Sequence, residues 1–246
     1  MKTKKIYTAL ATIILTFAVA LGALAAPVAG RDEKDGGETN ARVRVPLNLA
    51  ILIQDDLVSR VGNELKLTRE FINALPQGSR VMVGYLSVGT LRVRQPFTND
   101  LEKAGKSLRV PLGSTAAAPY NPYVEVREAL KAFPTDGSNR NVVLLISDGL
   151  DVSRGFDFSS SVDSIDLNRA VSEARRRNVA IYSFYAPSVG LTSFNSRAVS
   201  FGQSALNRIS NETGGTAFFQ GTDFVTFNAY FKSFSKAINR QNATAY

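Results

Sequence analysis

The chain of 246 residues contains no cysteine and no histidine, and these two absences exclude most familiar active sites. Without cysteine there is no disulfide, no thiol nucleophile and no lipid anchor on a lipobox cysteine. Without histidine there is no Ser-His-Asp triad, no Cys-His pair and no histidine-ligated zinc. No Walker-type or dinucleotide-binding glycine loop follows a strand-like segment. Carboxylate, hydroxyl, amide and backbone chemistry remains: hard-cation binding, a glycosidase-like acid pair, or no catalysis.

Positive charge is spread along the chain rather than collected in one segment. The formal net charge is +8, and it becomes +5 when the three lysines at positions 2, 4 and 5 are removed with a signal peptide. The remaining basic residues occur in separate stretches such as ARVRVP, RVRQP and EARRRN. This distribution favours a solvated surface or affinity for anionic cell-surface polymers over nucleic-acid binding.

The first 25 residues have the pattern of a secretory signal peptide. Lysines precede an apolar stretch from Ala9 to Leu24, and Ala23-Leu24-Ala25 supplies a small-x-small cleavage pattern. We expect cleavage after Ala25 and an exported protein, periplasmic or secreted, with no membrane attachment. The alternative is an uncleaved anchor, because the apolar stretch is nearly long enough to span a bilayer. Residues 26–41 are predicted to be a disordered linker, and residues 42–242 one domain.

Short β-branched runs alternate with amphipathic segments in this domain. Buried strands are predicted at residues 48–54, 80–88, 141–147 and 179–185, and a proline-bearing edge strand at 90–97. Helices are predicted at 57–75 and 223–240, where apolar residues recur at helical spacing. A further helix, SALNRISNET, should end at Gly214-Gly215 before a strand at TAFF. Alternation of this kind predicts an α/β fold with a parallel sheet covered on both faces.

Two predicted strands end in acidic residues. LAILIQDDLVSR carries Asp55 and Asp56 at the end of the first strand, and VVLLISDGLD carries Asp148 at the end of another. Ligands of parallel sheets bind beyond the carboxyl ends of the strands. These acids are therefore candidates for a hard-cation site, or for an acid pair formed by Asp56 and Asp148.

The order of these segments resembles that of a von Willebrand factor type A (VWA) domain. The resemblance covers roughly residues 45–240 and rests chiefly on LLISDG and ISNETGGTAFF. It is closest to the exported, VWFA-related proteins of soil bacteria, especially Acidobacteria. It implies a three-layer, Rossmann-like fold with a mostly parallel central sheet, one antiparallel edge strand and helices on both faces.

The resemblance also implies a metal-ion-dependent adhesion site for Mg²⁺ or Mn²⁺. In the family this site combines DxSxS after the first strand, a threonine from a later loop and the aspartate of a DG turn. Asp148-Gly149 matches the DG turn, but the first motif is broken. It gives Gln54, Asp56 and Val58 in one register, and Asp55, Leu57 and Ser59 in the other. Thr115 has the type of the loop ligand, although spacing from the following helix points nearer Tyr120 or Asn121.

The candidate metal ligands therefore form a degenerate set: Asp55, Asp56, Ser59, Thr115 and Asp148. We expect no firmly bound cofactor and at most weak binding of Mg²⁺ or Ca²⁺, because Gln54 keeps an acceptor oxygen but not the charge. The alternatives are a working site, or a purely structural role. In the structural role Asp55 caps the following helix or its turn, and Asp148 accepts from amides of the DG turn.

Two long polar segments are predicted to lie as loops beside these acids. One follows Asp148, and the other covers residues 188–203. Functional loops collect at this edge, and arginine and aromatic residues commonly anchor protein interfaces. The candidate partner-binding residues are Asp151, Arg154, Phe156 and Arg197; ordinary solvated insertions are the alternative.

These observations favour a non-catalytic, exported binding or adhesion module that recognises a protein or an envelope polymer. Metal-dependent adhesion through a working site is one alternative, and an acid-pair hydrolase is another. A structural subunit that assembles with itself or with an envelope machine would have the same sequence features as the leading hypothesis.

Overall fold

A central sheet organises the part of the chain that the computed structural model describes, residues 42–137, 139–156, 164–219 and 226–243. Its strands are β1 (Leu47–Gln54), β2 (Arg80–Ser87), β3 (Thr90–Thr98), β4 (Arg140–Ser147), β5 (Val179–Tyr185) and β6 (Ala217–Phe218). Their order is β3-β2-β1-β4-β5-β6. All neighbours are parallel except β2 and β3. The predicted strands are confirmed, and the proline-bearing one is the antiparallel edge.

Helices cover both faces of this sheet. They are α1 (Val61–Asn73), α2 (Leu101–Lys106), α3 (Pro122–Lys131), α4 (Ile165–Arg176), α5 (Ser196–Glu212) and α6 (Phe227–Ala243). One core lies between the sheet and α1, α2 and α6. The second lies between the sheet and α3, α4 and α5. The three-layer α/β architecture is therefore as predicted.

The central strand β1 is buried along its whole length because its side chains contribute to both cores. Leu49 and Ile51 belong to the core beneath α1 and α6, whereas Ala50 and Leu52 belong to the other. Successive side chains of a strand point to opposite faces, so a continuous apolar run is what a strand covered on both sides requires.

The aromatic stripe of the last helix is core. Phe231 stacks on Phe71 of α1 with ring centroids 4.5 Å apart, and Phe234 meets Tyr182 of β5 edge-on at 4.9 Å. The described helix begins at Phe227, and the predicted start near residue 223 lies outside the described residues. Glu64 of α1 accepts a hydrogen bond of 2.7 Å from the Phe227 backbone N–H at this end.

The predicted turn after α5 is also confirmed. Gly214 has a φ of +81°, and the Gly215 N–H donates to the Ser210 carbonyl at 2.8 Å, which closes the helix end. A Cβ on Gly215 would lie 1.9 Å from the Ile181 carbonyl oxygen, so only glycine fits beside β5.

The predicted signal peptide and linker, residues 1–41, lie outside the described residues. Within the described ranges, no helix has both the length and the apolar character needed to cross a membrane.

Candidate functional site

The acids singled out from the sequence lie at the edge of the sheet where β1 and β4 end. Gln54 is the last residue of β1, and Asp55 and Asp56 form the turn that follows. Ser147 ends the neighbouring strand β4, and Asp148 comes next. Because β1 and β4 are paired and parallel, their ends bring these side chains together.

Asp55 forms an ion pair with Arg109, which the sequence did not indicate. Both of its oxygens accept from the Arg109 guanidinium at 2.7 Å, and Oδ1 also accepts from the Leu112 N–H at 3.1 Å. The guanidinium lies 4.0 Å above the ring centre of Tyr85. Burial raises the pKa of Asp55, but the bonds from Arg109 and Leu112 outweigh it and hold this pKa below its usual value. In the structural alternative Asp55 would cap the following helix or its turn; its side chain accepts from Arg109 and Leu112 instead, and Arg60 precedes α1 without a side-chain cap.

Gln54 connects Asp56 to the β4 turn. Its Nε2 donates to Asp56 Oδ1 at 2.7 Å, while its Oε1 accepts from Ser147 Oγ at 2.5 Å and from the Asp148 N–H at 3.2 Å. The orientation of the amide follows from this arrangement, because a backbone N–H can only donate. An N–H group, rather than an oxygen, therefore faces Asp56.

Both carboxylate oxygens of Asp148 accept hydrogen bonds. Oδ1 accepts from the Leu150 N–H at 3.0 Å, the contact expected of a DG turn, and Oδ2 accepts from Thr192 Oγ1 at 3.1 Å. Burial raises the pKa of Asp148 despite these bonds. Gly149 has a φ of +74°, and a Cβ there would lie 2.4 Å from the Gly202 carbonyl oxygen of α5. The turn thus needs glycine both for its backbone conformation and for its packing.

Asp56 differs from Asp55 and Asp148 because one of its two carboxylate oxygens accepts no hydrogen bond from another described residue. Its Oδ2 accepts no hydrogen bond from another residue that the structure describes. Burial, followed by the nearby Asp148 carboxylate, raises the pKa of Asp56 to about 6. The side chain is 3% exposed.

A cavity of about 210 Å³ lies above these residues. Polar side chains line it at Gln54, Asp56, Thr115, Asp148 and Ser188, and its other walls are Ala118, Pro119, Tyr120, Leu150, Val152, Gly190 and Leu191. Thr115 lies on a 3₁₀ turn, Thr115–Ala117, and Tyr120 has a φ of +56°. Of the three positions considered for the loop ligand, Thr115 and Tyr120 line the cavity. The third, Asn121, is not in the lining; its side chain donates to Asp166 and accepts from the Tyr123 N–H. Ser59 is exposed and is not part of the lining.

Five of the six carboxylate oxygens of Asp55, Asp56 and Asp148 accept hydrogen bonds from protein donors. The oxygens of Asp55 face a guanidinium, and an amide N–H occupies Asp56 Oδ1. Both oxygens of Asp148 accept protein hydrogen bonds. Among the described residues, no group of three or more acidic side chains converges as a metal site does.

The four predicted partner-binding residues occupy different settings. Asp151 accepts from Ser153 and from Ser164, the residue that caps α4. Arg154 is exposed on the segment after β4, and Phe156 meets Phe201 of α5 with ring centroids 6.0 Å apart. Arg197 lies in the first turn of α5, so the prediction of a loop over 188–203 is wrong from residue 196 onwards. Asn195 supplies the reason, because its Oδ1 accepts from the amides of Arg197 and Ala198 and starts the helix there.

The sequence did not indicate three residues of this edge: Arg109, Thr192 and Ser188. Arg109 stands in the loop segment LRVPLGS, where nothing separates it from the other arginines of the chain. Asn195, three residues before Ala198, was the available signal for the start of α5.

Comparison with known proteins gives matches in structure alone. No family model matches the chain, and no curated protein matches it in sequence. The conserved hypothetical protein BatB of Bacteroides thetaiotaomicron is 12% identical with a TM-score of 0.52, over 81% of this chain and 100% of that one. An aerotolerance-related membrane protein of Bacteroides fragilis is 13% identical with a TM-score of 0.50, over 80% and 100%. The SpRpn10 VWA domain is 14% identical with a TM-score of 0.48, over 80% and 95%.

Identities at this level bear on the fold alone. The first two matches show a shared fold over four fifths of this chain. Its own strand order, with one antiparallel edge strand, is the VWA-like α/β arrangement that the sequence resemblance implies.

Proposed function

We propose that this chain is an exported, non-catalytic binding module that recognises a protein through the cavity at the carboxyl ends of β1 and β4. Export is inferred from the signal-like pattern of residues 1–25. Protein recognition, rather than recognition of an envelope polymer, is inferred from the character of the surface around the cavity.

Exposed apolar side chains lie on or next to the segments that line this cavity, and they are the observation that carries the proposal. Phe194 is 77% exposed, Leu112 60% and Tyr120 51%. Each stands on a different segment of the edge. Large exposed apolar groups around a concave site are typical of protein-binding surfaces.

Backbone hydrogen bonds hold these segments to the end of β1 and to one another. The Gly113 N–H donates to the Asp55 carbonyl at 3.0 Å, and the Val189 N–H donates to the Asp56 carbonyl at 2.9 Å. The Val152 N–H donates to the Tyr120 carbonyl at 2.7 Å. Such a surface is preorganised, so a partner loses less free energy in ordering it.

This proposal does not require a metal ion for binding. The Asp55–Arg109 ion pair supplies a cation within the chain, and the Gln54 amide occupies Asp56 Oδ1. We therefore propose a degenerate adhesion site that binds its partner without Mg²⁺.

An acid-pair hydrolase is the second candidate, because Asp56 and Asp148 line one cavity and Asp56 has a raised pKa of about 6. The cavity volume of about 210 Å³ is small beside the roughly 300–1,000 Å³ of ordinary ligand sites. Both oxygens of Asp148 are also occupied. A screen of glycoside and ester substrates tests this candidate; turnover that Asp56→Asn abolishes would establish it.

Capture from envelope extracts of the native host tests the binding proposal. The full chain, produced in an exporting host, is compared with the variant Leu112→Ser/Phe194→Ser. Val93→Ser is the control, because Val93 is also exposed but lies in the middle of edge strand β3. We expect a partner that wild type and Val93→Ser retain equally and the double variant loses. Equal capture by all three proteins would show that the cavity edge is not the binding surface.

A further inference from the structure

Asp56 and Asp148 are buried carboxylates that form no ion pair with any lysine or arginine among the described residues. The adjacent Asp55, in contrast, has Arg109. The charged groups that act on Asp56 are other carboxylates, Asp148 and Asp55. A carboxylate removed from water without a counter-charge is unfavourable. This end of the sheet is therefore suited to receive a cation from outside the chain.

The cavity presents a particular acceptor to that cation. Asp148 uses Oδ1 and Oδ2 for Leu150 and Thr192, and Asp56 uses Oδ1 for Gln54. Asp56 Oδ2 is then the carboxylate oxygen that stays available at the cavity floor. Thr115 and Ser188 add hydroxyl groups to the same lining.

This single available oxygen distinguishes among cations. A divalent metal ion needs several free oxygen ligands. A guanidinium is best matched by two oxygens of one carboxylate. An ammonium group is a compact charge that one carboxylate oxygen and nearby hydroxyls can satisfy.

The walls of the cavity indicate what the ammonium group is attached to. Ala118, Pro119, Leu150, Val152 and Leu191 line the same cavity as Asp56. A cavity that combines apolar walls with a charged acceptor suits the four-carbon stem of lysine, which packs its methylenes on apolar surface while its ammonium contacts polar partners.

We infer that the cavity binds a lysine side chain presented by the partner protein, with the ammonium on Asp56 Oδ2. This inference rests on the proposed function and names the partner chemistry that the cavity recognises.

A titration with Nα-acetyl-lysine methylamide, followed by NMR on the full chain, tests the pocket directly. The same titration is made with the norleucine and arginine analogues and with pentylammonium. We expect saturable binding of the lysine probe, and affinities at least ten-fold weaker for the norleucine and arginine analogues. Equal affinity of the norleucine analogue would overturn the inference. Pentylammonium that binds as tightly as the lysine probe would overturn the assignment to a partner's lysine and indicate a free amine.

Asp56→Asn and Glu128→Gln are the matched variants. The first removes the charge of Asp56 and keeps an acceptor for Gln54; the second removes an exposed charge on α3. We expect the lysine affinity to fall at least ten-fold in Asp56→Asn and to stay unchanged in Glu128→Gln. The melting temperature of Asp56→Asn should not fall, which separates lost binding from unfolding. A folded Asp56→Asn that binds the lysine probe as wild type does would contradict the inference.

The capture experiment separates this inference from the proposed function. Acetylation of lysines in the extract, and Asp56→Asn, should each abolish capture of the partner. If both leave capture intact while Leu112→Ser/Phe194→Ser abolishes it, the binding surface stands and the lysine inference fails. If wild type captures nothing, the proposed function fails, and the probe titration still decides whether the pocket binds lysine.

Discussion

Asp55 and Asp56 are neighbours in the chain with opposite electrostatic environments. The buried Asp55 faces Arg109, which neutralises it, whereas Asp56 faces the cavity and Asp148. Successive residues after a strand point in different directions, so one side chain joins the loop at 107–113 while the other lines the site. At the residue scale, Asp55 therefore stabilises the edge and Asp56 is available for a ligand.

Loss of the Arg109 guanidinium should destabilise the fold. Arg109→Met leaves the fully buried Asp55 without its cation, and we expect unfolding to become easier by about 3 kcal/mol. Denaturant titration measures the change, with the exposed Arg94→Met as control. Asp55→Asn/Arg109→Met should recover much of the loss, because no uncompensated charge remains. A double variant as unstable as Arg109→Met would mean that packing on Tyr85, not charge, is what matters.

Glu125 should make the protein less stable as pH rises. It is fully buried on α3, and neither carboxylate oxygen has a hydrogen bond of ordinary geometry. Burial, opposed by the Ser87 and Gly89 amides, raises the pKa of Glu125 to about 8. The folded state then binds the proton more tightly than the unfolded state, whose pKa is near 4.5. Stability from this group is present at low pH and is lost between about pH 4.5 and 8.

Glu125→Gln should remove that part of the pH dependence. We expect the variant to exceed wild type by on the order of 3 kcal/mol at pH 8 and to differ little near pH 4.5. Urea titrations at several pH values give the comparison, with the exposed Glu128→Gln on the same helix as control. Parallel pH profiles for wild type and Glu125→Gln would show that this carboxyl titrates normally.

At the scale of elements, α6 is joined to the fold at its start and along its face. Its first N–H groups lack partners within the helix, and Glu64 of α1 satisfies that of Phe227. Its aromatic side chains lie against Phe71 and Phe184. The contact at the start of α6 and the packing along its face contribute separately to the stability of the fold. Two substitutions distinguish these contributions.

Glu64→Ala should loosen the start of α6. The Phe227 N–H would lose its buried acceptor, and we expect a loss of about 1–2 kcal/mol. Amide hydrogen exchange in the first turn of α6 should accelerate more than exchange at its centre. Glu64→Gln keeps an acceptor oxygen and should lie close to wild type. Uniform acceleration along α6 in Glu64→Ala would point to global destabilisation instead.

Phe231→Ala should lower the free energy of unfolding more than Glu64→Ala does, because it leaves a cavity in a core. The Phe231 side chain is 7% exposed and stacks on Phe71, and truncations of this kind cost about 3–5 kcal/mol. Phe194→Ala is the matched control, since Phe194 is 77% exposed. Denaturant midpoints that are the same for wild type and Phe231→Ala would mean that α6 is peripheral to the fold.

At the scale of the whole molecule, stability should respond little to divalent ions. A ligand stabilises by RT ln(1 + [L]/Kd), which is small when Kd is comparable to or above the ion concentration. Melting of wild type should therefore be nearly the same in millimolar Mg²⁺ and in EDTA, with Ca²⁺ slightly more effective if either ion binds. A rise of several degrees in Mg²⁺ that EDTA reverses would make metal-dependent adhesion the leading mechanism.

A restored motif provides the positive control for this measurement. Gln54→Asp/Asp56→Ser/Val58→Ser recreates DxSxS beside Asp148, and the Thr115 hydroxyl lies in the same cavity. Melting of this variant should depend on Mg²⁺. If it does not, the position of the loop ligand, rather than the first motif, is what prevents metal binding.

Most of the fold was predictable because its signals are local. A strand buried on both faces needs a continuous β-branched run, and β1, β2, β4 and β5 each have one. The proline of 90–97 restricts that strand to the edge, and Gly214 marks the end of α5. Where a local signal was overlooked, as at Asn195, the prediction placed a loop where a helix begins.

The sequence by itself determined the classes of chemistry that are absent, the α/β alternation and the positions of three acids at strand ends, because composition and periodicity are properties of neighbouring residues. Only the tertiary structure decided which acid is neutralised and which faces a cavity. Arg109 reaches Asp55 across 54 positions, and Phe227 reaches Glu64 across 163. Such pairs depend on how loops and helices pack against the sheet, and many arginines would satisfy the same sequence pattern. The difference between Asp55 and Asp56 thus arises from packing, since their residue type and place in the chain are nearly the same.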